Sequence, residues 1–346
     1  MTRIDLAGYD SIIDCRSPAE YAADHIPGAI SAPVLDDDER ASVGTLYKQV
    51  SPFDARKLGA ALVAKNVARH VATLFAGKGP QWRPLVYCWR GGKRSAAMAQ
   101  VLREIGWRAE TLEGGYKAYR RWVVAQLESL PATLDFTVIH GATGSGKSRL
   151  LGALRQAGAQ VLDLEDLAAH RGSVLGALPG RPQPSQKMFE SLLLEELSAF
   201  DPARPVFVEG ESKKIGELQL PGALIGHMRA SPCVLLETAF EARVTLLLEE
   251  YRHFTADPHA LAAQLDCLVA LHGREKIEAL KALARRGAWR EGVARLLTEH
   301  YDPAYHRSSM RNFARLPDSR KLQVREADER AFAEAARSLL EEPVSA

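Results

Sequence analysis

The stretch FTVIHGATGSGKSRLLGALRQAG, Phe136 to Gly158, constrains the fold of this chain more than any other. FTVIH reads as a buried strand and SRLLGALRQAG as a helix with an apolar stripe; between them stands GATGSGKS. That octet, Gly141, Ala142, Thr143, Gly144, Ser145, Gly146, Lys147 and Ser148, fits G-x-x-x-x-G-K-[ST] without a departure. Its glycines let successive backbone N–H groups turn toward an anion at a helix N-terminus. Lys147 reaches the outer phosphates, and Ser148 can hold a magnesium ion. A strand feeding such a loop belongs to a parallel sheet flanked by helices. The loop calls for a di- or triphosphate ligand. It does not say that ATP is hydrolysed.

QVLDL, PVFVEG and PCVLLE, short apolar runs bounded by Pro, Gly or acidic residues, read as further strands of that sheet. Glu209, ending PVFVEG, is the first candidate to complete a metal site with Ser148; Asp163 and Glu237 are the others. Arg243 and Arg252 follow PCVLLE, where kinase-like phosphate-loop proteins place lid arginines; surface charge on an amphipathic helix is the competing reading. From about Phe240 the pattern is mostly helical.

At 346 residues the chain is long enough for a second core. Residues 1–130 supply its pattern: SIID, a helical EYAADH, PLVYC, a helix from about Arg94 to Ile105, and AETLEGG. An acidic DDDER and the periodic helix ARKLGAALVAKNVARHVATLF lie in the middle. The boundary falls at Pro131, the phosphate-loop core runs over 131–240, and 241–346 forms its helical extension. The start, MTRIDLAGYDSIIDCRS, has no apolar core of signal-peptide length, and no run approaches the roughly 18 apolar residues of a membrane span. A cytoplasmic protein without a membrane partner is expected. A net charge of +2 is too small to prove a nucleic-acid partner.

The four cysteines, Cys15, Cys88, Cys233 and Cys267, form no CxxC pair, which argues against a zinc site or a disulfide framework. Cys233 and Cys267 lie in apolar runs and read as buried structural residues. Cys15, beside Arg16, reads as structural, with a second, resolving thiol as the alternative. Cys88 differs. It ends the strand PLVY and enters a loop, Arg90, Gly91, Gly92, Lys93, Arg94 and Ser95, that opens a helix. Backbone N–H groups, the positive helix end and three basic residues all favour a thiolate. Two chemistries use such a cradle: sulfur or selenium transfer through a persulfide or perselenide, and phosphoester hydrolysis through a phosphocysteine, since Cys88 to Arg94 matches C-x5-R. The phosphatase pattern usually has His before the cysteine, where this chain has Tyr87.

DCRSPAEYAADHIPGAISAP, Asp14 to Pro33, resembles the rhodanese signature, and LEGGYKAYRRW, Leu112 to Trp122, its closing segment. Joined to a phosphate loop, and with CWRGGKRS, LEGGYKAYR and GTLYKQ, the whole chain resembles the tRNA 2-selenouridine synthase family. The resemblance implies an α/β protein: an N-terminal rhodanese-like parallel-sheet domain, then a P-loop NTPase-like α/β domain with a helical C-terminal extension. It implies a transferase acting on tRNA that carries 2-thiouridine at the wobble position. The sulfur is first alkylated with geranyl diphosphate, and selenium from selenophosphate then replaces the S-geranyl group. Cys88 would carry selenium as S-selanylcysteine, with the loop N–H groups and Arg94 stabilising the phosphate that leaves; Lys147 and Ser148 would hold the diphosphate. No tightly bound cofactor is implied; magnesium at the phosphate loop and the enzyme that makes selenophosphate are candidate partners. The alternatives are a rhodanese-type sulfurtransferase with a nucleotide-regulated phosphate-loop domain, and a C-x5-R cysteine phosphatase.

A tRNA needs a basic surface and a place for an unstacked base. Arg274, Lys281, Arg285, Arg286 and Arg290, with Trp289 to stack on a base, are the candidates; a solvated helix face with Trp289 in the core is the other reading. HYDPAYHRS, His300 to Ser308, is a second candidate for the RNA path.

Overall fold

In the computed structural model, which describes residues 4–305 and 313–342, the chain divides into two compact units. One comprises Met1–Gln126 with Pro184–Glu195, the other Leu127–Gln183 with Glu196–Ala346. No helix among the described residues is long and apolar enough to cross a membrane.

The first unit is built on four strands, β1 (Ser11–Asp14), β2 (Ile30–Ser31), β3 (Pro84–Tyr87) and β4 (Glu110–Thr111), in the order β2-β1-β3-β4, all parallel. PLVY is buried at every position, as expected of a parallel strand covered on both faces. Ile13, Val67, Phe75, Trp82, Val86, Met98 and Trp107 pack together in the core. The helices Pro52–Ala72 and Lys93–Glu104 lie where the apolar spacing predicts them. DDDER, by contrast, is no mere acidic link but the start of a helix, Asp37–Gln49. Asp36 caps it: its carboxylate accepts the Glu39 N–H at 2.7 Å and the Glu39 carboxylate accepts the Asp36 N–H at 3.0 Å. Carboxylates at that end also suit the helix dipole.

The second unit holds β5 (Phe136–His140), β6 (Gln160–Leu162), β7 (Val206–Glu209), a short hairpin of β8 (Lys214–Ile215) and β9 (Leu218–Gln219), then β10 (Cys233–Thr238) and β11 (Arg320–Val324). The main sheet runs β11-β10-β5-β7-β6, again parallel. β11 is the strand within a C-terminal segment that is otherwise mostly helical, as its pattern predicts. Leu236 registers with Leu322 and Thr238 with Val324, so RKLQV closes one edge of the sheet, and the helix Glu329–Glu341 packs beside it through Phe332 and Leu339. Only Leu322 and Val324 of that strand are buried, which hides it among charged neighbours.

Candidate active sites: a thiolate loop and a phosphate loop

Cys88 follows β3 directly, and its sulfur lies in the loop that Gly92 closes as the N-cap of Lys93–Glu104. The Gly92 N–H donates to Cys88 Sγ at 3.2 Å, and Ser95 Oγ lies 3.3 Å from it. The thiol is brought down to about 4, first by a hydrogen bond from the Cys15 thiol, then by Ser95 and the Ser95 and Gly92 N–H groups, against the opposing push of burial. Cys15 is itself fully buried and pushed well above the usual cysteine range by burial and by Cys88. It therefore stays protonated and serves as a donor. Its Sγ also lies 2.9 Å from the Tyr87 carbonyl, so the one S–H chooses between two acceptors. The charge that develops on Cys88 decides the choice.

Pairing of β1 with β3 makes this contact. Asp14 registers with Tyr87, which sets Cys15 beside Cys88 at the ends of the two strands. Beneath them the rhodanese-like segment forms a buried frame. Arg16 grips the Asp14 carboxylate at 2.6–3.0 Å and donates to the Asp24 carbonyl at 2.5 Å; both side chains are at most 1% exposed. Removing either partner of such a pair would strand a buried charge. Of the three loop cations, Arg94 is bound to Glu20 at 2.9 Å, while Arg90 and Lys93 are exposed. Arg94 is thus engaged in the frame, and the groups that reach the sulfur are Gly92, Ser95 and Cys15. Gly91, at φ +64°, sits where a Cβ would meet the Leu112 carbonyl at 2.7 Å.

With these donors in place, alkylation of Cys88 by iodoacetamide should be almost independent of pH between 6 and 9, far from the midpoint near 8.5 of a free cysteine. Cys15→Ala should raise the midpoint by a unit or more, and Cys15→Ser, which keeps a donor, should largely restore it. The check is a pH series of single-turnover alkylation rates.

In the phosphate loop, Gly144 and Gly146 adopt φ of +76° and +85°. A Cβ on Gly146 would strike the Phe332 ring at 2.4 Å. Lys147 arches back to donate to the Gly141 carbonyl at 3.3 Å, the posture of an ammonium held over the loop. Arg243, a candidate lid arginine, is instead 8% exposed and committed: it donates to the Thr143 carbonyl at 2.8 and 3.0 Å and grips Asp302 at 2.6 and 3.1 Å. It braces the loop. Arg252 is exposed and lines neither the phosphate-loop cavity nor the apolar one beside it.

The carboxylate beside Ser148 Oγ is that of Glu165, at 3.4 Å. Glu209 lies behind it, buried, its Oε1 accepting the Glu165 N–H at 2.7 Å and its Oε2 without a partner among the described residues. Glu165 is pushed up to about 8 by burial and then by Glu211; burial also raises Glu209, Glu211 and Asp163. Glu237 pairs with Lys321 at 3.2 Å. Among the described residues no group of three or more His, Cys, Asp or Glu is arranged to hold a metal by itself. A magnesium ion asks for less: hard oxygen donors, one or two carboxylates and a phosphate. Ser148 and Glu165 meet that description. Sequence reasoning missed Glu165, Glu211 and Arg171, which all line the phosphate-loop cavity. Arg171 pairs there with Glu250 at 3.2 Å and lies over the Tyr251 ring at 5.0 Å.

A second, apolar cavity adjoins the first. Thr143, Leu247, Tyr251 and Tyr301 line both; Phe254, Leu261, Leu280, Trp289, Val293 and Leu296 are among the residues that continue the apolar one. Its cavity volume is about 80 Å³. Trp289 is therefore a wall of this cavity.

The other basic candidates are mostly neutralised. Lys281 is 8% exposed and bound to Asp266 at 2.6 Å and Glu278 at 3.1 Å, so it cannot meet an RNA phosphate without breaking both pairs. Arg285 lies 3.6 Å from Glu278 and Arg290 2.8 Å from Glu241; Arg274 and Arg286 are exposed. Of HYDPAYHRS, residues 306–308 lie outside the described residues. Cys233 is buried as expected, but Cys267 is exposed: in the short turn Asp266–Leu268, Leu265 and Leu268 take the core side and Cys267 the other.

Two family models match the chain in succession. A family model described as the tRNA 2-selenouridine synthase AAA domain matches residues 134–286, and one for the rhodanese-like domain matches residues 2–121. A tRNA 2-selenouridine synthase from Sulfurovum sp. is 34% identical over 335 residues, 88% of this chain and 90% of the relative. One from Cupriavidus pinatubonensis is 35% identical over 351 residues, 91% and 92% of the two chains. One from Nitrosomonas europaea is 38% identical over 246 residues, 69% of this chain and 63% of the relative, so that match spans just under two thirds of its length. With two domain models matched in order and relatives aligned over nearly their whole length, the chain belongs to the tRNA 2-selenouridine synthase family.

Proposed function

We propose that the protein converts 2-thiouridine at the tRNA wobble position into 2-selenouridine, by S-geranylation from geranyl diphosphate and then selenium insertion from selenophosphate. The observation that carries the first step is the apolar cavity opening onto the phosphate loop. A nucleotide would bring a ribose and a base, whose polar atoms need hydrogen-bond partners. Leu, Val, Phe and Trp side chains offer few; they suit a branched hydrocarbon chain whose diphosphate rests on Lys147 and the loop N–H groups. Ser148 and Glu165 would hold a magnesium ion, which supplies charge neutralisation for the departing diphosphate.

In the second step the Cys88 thiolate takes selenium from selenophosphate as a perselenide: the S–Se bond forms, the Se–P bond breaks as water carries the phosphate away, and the two electrons that selenium gives up reduce a disulfide to the thiols spent in the last step. The selenium attacks C2 of the S-geranylated base, the C2–Se bond forms, and the C2–S bond breaks as geranyl thiolate leaves with its electron pair. Alkylation has turned a poor leaving group into a good one. Cleavage of the remaining S–Se bond frees the selenated base and takes two electrons from a thiol reductant.

Mass spectrometry tests the reading: a thiolated anticodon stem-loop incubated with geranyl diphosphate should gain one geranyl group, and then exchange S-geranyl for selenium when selenophosphate is added. Failure to gain the geranyl group would overturn the role of the cavity. Gly292 lines that cavity, and a Cβ there would meet nothing nearer than Leu283 Cβ at 3.9 Å. Gly292→Leu should therefore raise the KM for geranyl diphosphate about tenfold or more. Binding of inorganic diphosphate, followed by calorimetry, should not change.

A further inference from the structure

The loop that holds Cys88 also carries Trp89, and neither chalcogen chemistry nor the fold requires an indole there. Its side chain is 38% exposed in a unit whose Trp82 and Trp107 are at most 8% exposed. The exposed ring is firmly backed. It packs on Tyr116 with ring centroids 5.3 Å apart and planes 32° from parallel. Tyr116 is fixed in turn: its hydroxyl donates to Asp24 at 2.6 Å, and the Arg16 guanidinium lies 3.9 Å from its ring centroid. The backbone is pinned too, since the Cys88 and Trp89 carbonyls accept the Tyr116 and Lys117 N–H groups at 2.8 and 3.0 Å.

Beside Trp89 runs one face of the helix Gly115–Ser129. Lys117, Arg120, Arg121 and Val124, at i, i+3, i+4 and i+7, line a shallow apolar groove together with Trp89, Tyr116 and Lys187. Val124 is 56% exposed. Arg120 is paired with Glu190, but Lys117, Arg121 and Lys187 have no carboxylate partner among the described residues, nor have Arg90 and Lys93 on the Cys88 loop. An apolar shelf lined by three such cations, with two more on the Cys88 loop, repels proteins of like charge and asks for a flat apolar group on an anionic chain.

We infer that Trp89 is a stacking platform for an unpaired nucleobase of the substrate RNA, with Lys117, Arg121 and Lys187 on the adjoining phosphates, so that the neighbouring nucleotide reaches Cys88. This rests on the tRNA reading above and moves the RNA-binding surface from the segment 274–290 to the thiolate loop. A rigid, pre-stacked indole loses little freedom on binding, and its π-face accepts any base. Trp89 acts by positioning; it is not a reacting group.

The test uses the full chain and a fluorescently labelled, thiolated anticodon stem-loop, with binding read by anisotropy. Trp89→Ala should weaken binding about 5- to 100-fold, and Trp89→Phe should recover most of the loss. The rate of Cys88 alkylation by iodoacetamide should stay unchanged in both, which reports an intact loop. Lys117→Ala with Arg121→Ala should flatten the dependence of log Kd on log salt by about 0.7 for each phosphate left without its cation, a readout that a merely structural role would not move. If the unmutated chain binds the stem-loop and both sets of variants bind it equally well with an unchanged salt slope, the platform is overturned while the tRNA reading stands. If the unmutated chain does not bind the stem-loop, the tRNA reading falls and the platform with it.

Discussion

Cys88→Ala is expected to leave geranylation of a thiolated stem-loop near its normal rate and to reduce selenium insertion at least about 10³-fold, the order of loss seen when a covalent nucleophile is removed. The two halves of this expectation have separate physical grounds. Cys88 belongs to a sheet of its own, and its environment makes a thiolate: the Cys15 thiol, Ser95 and the Gly92 and Ser95 N–H groups all favour the charged sulfur. Nothing in the phosphate-loop cavity is built from that unit. Cys88→Ser should do no better than Cys88→Ala, because a serine hydroxyl in the same cradle stays protonated and forms no perselenide. The measurement is the mass of the RNA after each co-substrate. Loss of geranylation with retention of selenation would reverse the proposed assignment of the two loops.

The second large effect is at Lys147. Lys147→Ala should lower kcat/KM for geranylation about 10²- to 10³-fold, with no added ATP, by removing a charge aimed at the diphosphate as it departs. Selenation of an RNA geranylated beforehand should proceed at the normal rate. Lys147→Arg should rescue little, since the ammonium is held over the Gly141 carbonyl and the forked guanidinium does not fit the same arc. Near-normal geranylation by Lys147→Ala would remove the phosphate loop from the reaction.

Both loops were legible in the sequence because each is local. A strand, a glycine-bearing turn and a helix N-terminus are contiguous residues, and the left-handed φ of Gly91, Gly144 and Gly146 gives those glycines their reason. What pairing across the chain creates was not legible. Cys15 becomes a donor to Cys88 only because Asp14 registers with Tyr87, 73 residues further on. Glu165 rather than Glu209 meets Ser148 because Glu209 points its carboxylate at the Glu165 N–H. Lys281 reads as part of a basic helix face, but Glu278 in the same helix and Asp266 on a preceding turn together neutralise it. The apolar cavity needs residues from several helices, each of which alone shows only an ordinary apolar stripe. β11 was hidden by Arg320 and Lys321, which an edge strand can carry toward solvent.

Gly115 lies 27 residues beyond Cys88, yet a Cβ on it would meet the Cys88 carbonyl at 2.3 Å, and the N–H groups of Tyr116 and Lys117 tie down the loop. The loop is thus closed from further along the chain, while the donors to the sulfur, Cys15, Gly92 and Ser95, all come earlier. The closing helix gives the thiolate's cradle its rigidity and leaves the charge to the residues that precede it.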